Sequence, residues 1–331
     1  MTKKDSNIDA FGGVSNRLQP RAFGDLRAWI DALKSEGELN EIEAEVDWDC
    51  ELGTVARKAF GTGDGPALLF KNISGYNGDD ARCSQLFTGG MSNFSRIAMT
   101  LGLSKDSPVT DMVQATRYYL GQRVPPTEVS TGPVKENIVT GDDINLYDFP
   151  VPKWHREDGG RYINTFQATI TMDPDTGVHN LGIYRGMIGQ KDTLPVLLWR
   201  AQNWGVHFQK WADRGMKMPV AHVYGWEPCL PFCASAPVPT GVSEYDVMGA
   251  IRGKPVELVK CETSDLMVPA SAELVVEGFI DSDPATFEME GPFGEYTGYF
   301  GGDQGPKHVT KVTAITHRDQ PIFRGTLEGT L

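Results

Sequence analysis

The chain has 331 residues, enough for two or three domains, and its 40% hydrophobic and 23% charged content suits a protein with buried cores. A formal net charge of −13 argues against nucleic acid or an anionic membrane as the main partner, since both need cationic surface, but leaves room for an anion in a local pocket. No apolar run reaches the roughly eighteen residues of a membrane span. The N-terminal MTKKDSNIDAFGGVSNR lacks the apolar core of a signal peptide, and five cysteines without framework spacing suit a reduced, cytoplasmic setting.

In chain order, residues 1–21 read as an N-terminal arm. FGDLRAWIDALKSEGEL reads as a helix capped by Asp25, with Leu26, Trp29, Ile30 and Leu33 on one stripe and Gly37 as its stop. EIEAEVDW alternates like a half-exposed strand, CELGTVARKAF predicts a helix, ALLF (67–70) a short buried strand, and residues 93–121 two more helices. This makes residues 22–125 a mixed α/β domain. Near residue 125, at GQRVPPTEVSTGPVKENIV, proline and β-formers replace the helical patterns. Strands then dominate from TFQATITMD to PIFRGTL, with helices expected at NWGVHFQKWADRGM and at SEYDVMGAIRG, the latter capped by Ser243. Many short strands separated by turns indicate a sandwich or barrel over residues 126–331, and the whole chain is expected to be α+β.

Three stretches could carry chemistry. In EGPFGE, Glu290 and Glu295 flank a stiff turn. Two carboxylates in an apolar site would have divergent proton affinities, as an acid and its partner need, but the same spacing also describes two solvated glutamates on a polar turn. In HNLGIYRGMIG, Arg185 sits among apolar residues, where a guanidinium is either paired with a structural carboxylate or awaiting a substrate carboxylate. Asn180 lies at an odd offset from it, so in a regular strand the two would point to opposite faces unless a bulge intervenes. In PTGVSEYDVMGA, Glu244 falls in a first helical turn, either complementing the helix dipole or serving as an oxygen ligand to a hard metal. The six histidines form no zinc-type pair, CLPFC (229–233) has no second ligand pair and reads as buried thiols, and no Walker loop, strand-linked GxGxxG or GxSxG elbow is present.

Taken together, DLRAWIDALKSEGEL, GPALLFKNISGYN, HNLGIYR, GVSEYDVMGA, VELVKCETSDLMVPASAELVVEG and EGPFGEYTGY resemble the UbiD-type decarboxylases along almost the whole chain. The resemblance implies a flavin-reductase-like split β-barrel after residue 125. It also implies reversible decarboxylation of aromatic, heteroaromatic or α,β-unsaturated acids, with prenylated FMN as a covalent electron sink. By motif position, Arg185 resembles the holder of the substrate carboxylate, Glu290 the proton donor, and Glu295 the second glutamate of an Arg–Glu–Glu network. Thr165, Ile183, Tyr184, Arg185, Gln202, Ser235, Pro237 and Glu244 match cofactor-contacting positions. Asn180 and Glu244 match ligands of a divalent ion, usually Mn2+, and K+ accompanies it in the family. The third metal position, often histidine, is Asn203 here, with His207 one helical turn later as the alternative. The resemblance further implies a homodimer or higher homo-oligomer and a flavin prenyltransferase that supplies the cofactor. Family members continue past this end into a further domain, so the chain is expected to lack it. A non-catalytic flavin- and metal-binding relative, a subunit of a carboxylase complex, and an ordinary FMN reductase are the competing readings.

Overall fold

The computed structural model describes residues 13–329. In the first part, Asp25 caps α1 (Leu26–Ser35) by accepting from the Ala28 amide at 2.8 Å, and the expected stripe of Leu26, Trp29, Ile30 and Leu33 is buried. Each such side chain contributes about 1.5–3 kcal/mol of burial. There follow β1 (Leu39–Ile42), α2 (Glu51–Phe60), β2 (Ala67–Phe70), β3 (Gln85–Thr88), α3 (Phe94–Thr100) and α4 (Val109–Leu120). The strand expected at EIEAEVDW starts earlier and stops at Ile42; beyond it Val46 and Asp49 make only isolated bridges, to Ile73 and Lys153. Residues 13–21 are packed rather than trailing: Val14 is fully buried, Arg17 pairs with Asp111 of α4, and the Gln19 amide donates to the Gly102 carbonyl. Residues 1–12 of the expected arm lie outside the described residues.

The second part runs β4 (Thr127–Glu128), β5 (Asn137–Thr140), β6 (Ala168–Met172), β7 (His179–Gly182), β8 (Thr193–Pro195), α5 (Asn203–Asp213), β9 (Met218–Tyr224), α6 (Cys229–Ser235) and α7 (Glu244–Arg252). It continues through β10 (Glu257–Lys260), β11 (Met267–Pro269), β12 (Leu274–Ile280), β13 (Glu288–Glu290), β14 (Phe293–Gly294), β15 (Phe300–Gly301), β16 (Gly305–Lys307), β17 (Val309–His317) and β18 (Ile322–Arg324). α6 is not among the helices expected from the sequence; Pro231 sits in its first turn, where its missing N–H would have had no helical partner. Cys229 and Cys233 are buried in it as free thiols.

The main sheet is antiparallel, in the order β5-β17-β12-β9-β6-β7, with β8 also paired to β17. Among the described residues its ladders do not close into a continuous barrel: the chain beyond β7 meets β8 and the residues after it through the isolated Gly186↔Val196 bridge and the hydrogen bonds from the Met187, Gly189 and Leu197 amides to the Pro195, Thr193 and Arg185 carbonyls, without a regular ladder. The architecture observed is therefore a mixed α/β fold with an open, strongly strand-rich second part. The last described strand does not stay there. β18 runs parallel to β3 and completes the first sheet, β1-β2-β3-β18. Its loop, residues 325–329, thereby passes between the two parts.

Candidate active site

The EGPFGE turn is held by a second loop, residues 155–159. The Gly159 amide donates to the Pro292 carbonyl at 2.8 Å, and the buried Asp158 carboxylate accepts from the Gly294 amide at 2.9 Å. Gly291 has a φ of +94°, which glycine adopts without strain. The two loops approach so closely that a Cβ on Gly159 would lie 2.0 Å from the Gly291 carbonyl oxygen. This clamp sets the separation of the two glutamates, and both reach one guanidinium. Arg185 Nη2 donates to Glu290 Oε2 at 3.1 Å, its Nε lies 3.0 Å from Oε1 at an angle outside hydrogen-bond geometry, and Nη1 donates to Glu295 Oε1 and to the Gly301 carbonyl.

Glu290 is completely buried, and Tyr162 Oη donates to its Oε1 at 2.7 Å. Burial, followed by the charge of Glu290, holds the Tyr162 phenol far above its ordinary range, so it stays a donor. Burial works against the charge on Arg185 and Glu290 works for it; the balance lies above the ordinary value. Phe293 packs on Tyr162 at 4.3 Å between ring centroids and beneath the Arg185 guanidinium at 5.6 Å. Tyr296, close by in sequence, is 77% exposed, and it is Tyr162 that contacts the buried Glu290 carboxylate.

Two adjoining cavities open beside this network. One, of about 330 Å³, is lined by Thr165, Ile183, Tyr184, Arg185, Gln202, Phe293 and Glu295 among others. The next, of about 690 Å³, is lined by Asn180, Asn203, Ser235 and Glu244, and shares Ile183, Tyr184, Gln202, Tyr296 and Glu328 with the first. β7 ends at Gly182, so the strand alternation that would separate Asn180 from Arg185 is broken and both face the groove. Pro237 is exposed and lines neither cavity. Of the tryptophans, Trp199 is 60% exposed on the first cavity, Trp204 is buried and stacked on Tyr184 at 4.2 Å, and Trp226 is core.

Asn180, Asn203 and Glu244 meet at the far end of the groove. Asn203 Nδ2 donates to Asn180 Oδ1 at 2.8 Å, Asn180 Nδ2 donates to Tyr184 Oη at 3.3 Å, and Glu244 accepts from the Leu181 amide at 2.8 Å. Burial pushes the Glu244 carboxyl up to about 7. Among the described residues no group of three His, Cys, Asp or Glu side chains is placed to hold a metal. A donor set of one carboxylate and amide oxygens instead fits a hard divalent cation. His207 Nδ1 is engaged 2.9 Å from Thr171 Oγ1. Sequence motifs missed Tyr162, Asp158 and Glu328. Tyr162 lies three residues before Thr165 in RYINTF and could have been suspected as a buried donor, whereas nothing local marks the other two.

The mixed α/β fold thus sets a buried Arg–Glu–Glu network beside a groove lined by side-chain oxygens. Residues 127–331 match the 3-octaprenyl-4-hydroxybenzoate carboxy-lyase Rift-related domain and residues 30–116 its N-terminal domain, so the chain belongs to the UbiD family. It is 37% identical over 310 residues to a phenolic acid decarboxylase of Bacillus subtilis, covering 91% of this chain and 63% of the relative. It is 33% identical to a pyrrole-2-carboxylic acid decarboxylase of Pseudomonas aeruginosa, covering 94% and 63%. The UbiD-class enzyme HmfF from Pelotomaculum thermopropionicum, solved in complex with FMN, superposes with a TM-score of 0.82 at 33% identity, over 92% of this chain and 65% of that one. The vanillic acid decarboxylase of Sedimentibacter hydroxybenzoicus superposes at 0.86 with 31% identity, over 93% and 65%. The chain thus spans less than two thirds of the length of these relatives.

Proposed function

We propose that this chain carries the cofactor- and proton-handling site of a reversible, non-oxidative decarboxylase of aromatic, heteroaromatic or α,β-unsaturated carboxylic acids. The observation that carries this reading is the convergence of Glu290 and Glu295 on Arg185, with Arg185 and Glu295 on the wall of the groove and Glu290 buried behind the guanidinium. The relatives named for phenolic and pyrrole-2-carboxylic acids, and HmfF solved with FMN and with prFMN, support the substrate class and the cofactor. Catalytic ancestry is favoured over a non-catalytic relative because all three charged residues are present and paired.

In this reading Thr165, Ile183, Tyr184, Gln202 and Ser235 line the seat of prenylated FMN. Asn180, Asn203 and Glu244 hold a Mn2+ ion whose charge offsets the flavin phosphate in an acidic chain. When bound, prenylated FMN supplies the electron sink for the carbon that loses CO2. Arg185 orients the substrate carboxylate, and Glu295 keeps that guanidinium aimed. Glu290 delivers one proton to the carbon from which CO2 has left and recovers it in the reverse direction; Tyr162 fixes the carboxyl oxygen opposite the one nearest Arg185 Nη2. A second cation, K+, a homodimeric or larger assembly and a flavin prenyltransferase supplying the cofactor complete the proposal. The test is Glu290→Gln in protein reconstituted with prenylated FMN. H/D exchange at the substrate carbon should stop while flavin content stays at the wild-type level, and continued exchange would remove Glu290 as the acid.

A further inference from the structure

Glu328 is a groove residue that none of the steps above uses. It follows β18, lines both cavities, and sits in a loop seated on the turn after Glu295; a Cβ on Gly329 would lie 2.4 Å from the Glu295 carbonyl oxygen. Among the described residues its half-buried carboxyl has no hydrogen-bond donor and no cation. Burial, and secondarily the charge of Glu295, push it up to about 8. A desolvated carboxyl without a donor is costly, and whether ionised or neutral it still offers an accepting oxygen.

A molecule filling the groove must therefore bring hydrogen-bond donors to its middle. At one end the oxygens of Asn180, Asn203 and Glu244 suit a cation and a phosphate; at the other, Arg185 and Phe293 border the space for a ring. Between these ends runs the polyhydroxyl chain that links phosphate to ring in a flavin nucleotide. Gln202 also stands at this junction, with its Oε1 already accepting from Trp204 Nε1 at 3.3 Å, whereas Glu328 brings there a carboxyl with both oxygens open. Building on the flavin reading above, we infer that Glu328 accepts hydrogen bonds from the ribityl hydroxyls of the bound flavin nucleotide.

The test is flavin-fluorescence titration of the full chain, with Mn2+ present, using FMN and lumiflavin, which has the ring but no ribityl chain. Glu328→Leu should weaken FMN about tenfold to a hundredfold, as expected for one or two hydrogen bonds to a partly buried acceptor, and leave lumiflavin unchanged. Glu328→Gln, which keeps an accepting oxygen, should stay within about threefold of wild type for FMN. Unchanged FMN affinity in Glu328→Leu overturns the inference, and so does an equal loss for FMN and lumiflavin, which would mean the groove itself had collapsed. If the wild-type chain binds neither flavin, the flavin reading fails and this inference falls with it. That result is distinguishable because it needs no variant.

Discussion

Tyr162 Oη donates to Glu290 Oε1 at 2.7 Å inside the protein, while Arg185 approaches the same carboxylate from its other side. The proposed acid is thus held between a neutral donor and a cation. Tyr162→Phe removes the first without adding a charge. We expect a stability loss of about 1–2 kcal/mol from the orphaned carboxylate oxygen, read from urea midpoints, and proton-exchange turnover reduced by about tenfold with flavin binding retained. Turnover at the wild-type rate would show that Tyr162 is only a packing residue.

The Arg185–Glu290 pair should be strongly coupled. Arg185→Met leaves a fully buried carboxylate without its cation and is expected to cost about 3–5 kcal/mol. Adding Glu290→Gln removes the stranded charge, so the double variant should regain most of that loss. Strictly additive unfolding free energies in the double-mutant cycle would mean the two charges do not act on each other.

Glu244→Gln retains an oxygen for the Leu181 amide but removes the one charged group of the oxygen cluster. Manganese affinity should fall at least about tenfold, measured by equilibrium dialysis with elemental analysis. FMN should weaken with it, while riboflavin, which has no phosphate, should not. Unchanged manganese content would move the metal elsewhere.

His222 gives a pH prediction remote from the groove. It is fully buried in β9, within reach of Thr169 and Thr310, and burial lowers it to about 3. Its folded proton affinity lies below the unfolded value near 6.5, so between those limits the unfolded chain binds the extra proton. The stability this imidazole provides is complete above about pH 6.5 and is lost as pH falls, by about 1.4 kcal/mol per pH unit, or about 2 kcal/mol by pH 5. His222→Gln should flatten the slope of stability against pH by one proton relative to wild type over that range. Parallel slopes would show that His222 protonates without unfolding.

Local patterns foretold local structure well. Asp25 and Ser243 cap the helices they were expected to cap, ALLF is β2, and the periodicity of NWGVHFQKWAD gives α5. The tightly bonded parts of the site were visible only through family resemblance, because spacing alone could not tell Glu290 and Glu295 from turn decoration. What stayed hidden depends on partners far along the chain. Asp158 reaches the turn 136 residues later, Tyr162 reaches Glu290 across 128, and β18 leaves the strands before it to join β3. No local period records such pairings, and whether many short strands make a sandwich or a barrel is hidden for the same reason: closure depends on which distant edges meet, and among the described residues no closed ladder forms.

That return of β18 binds the two parts of the chain more tightly than a boundary near residue 125 suggests. Thr165 Oγ1 accepts from the Thr326 amide at 2.9 Å, just past the strand, so the loop entering the groove is tethered at one end by the sheet built from residues 39–88. A piece beginning at residue 126 would leave β18 with a bare edge, open to pairing with another molecule. It would also release the loop that brings Glu328 to the groove. In the flavin reading proposed above, the first part of the chain is the foundation under the groove, and damage to its strands is expected to lower flavin affinity without any substitution in the groove itself.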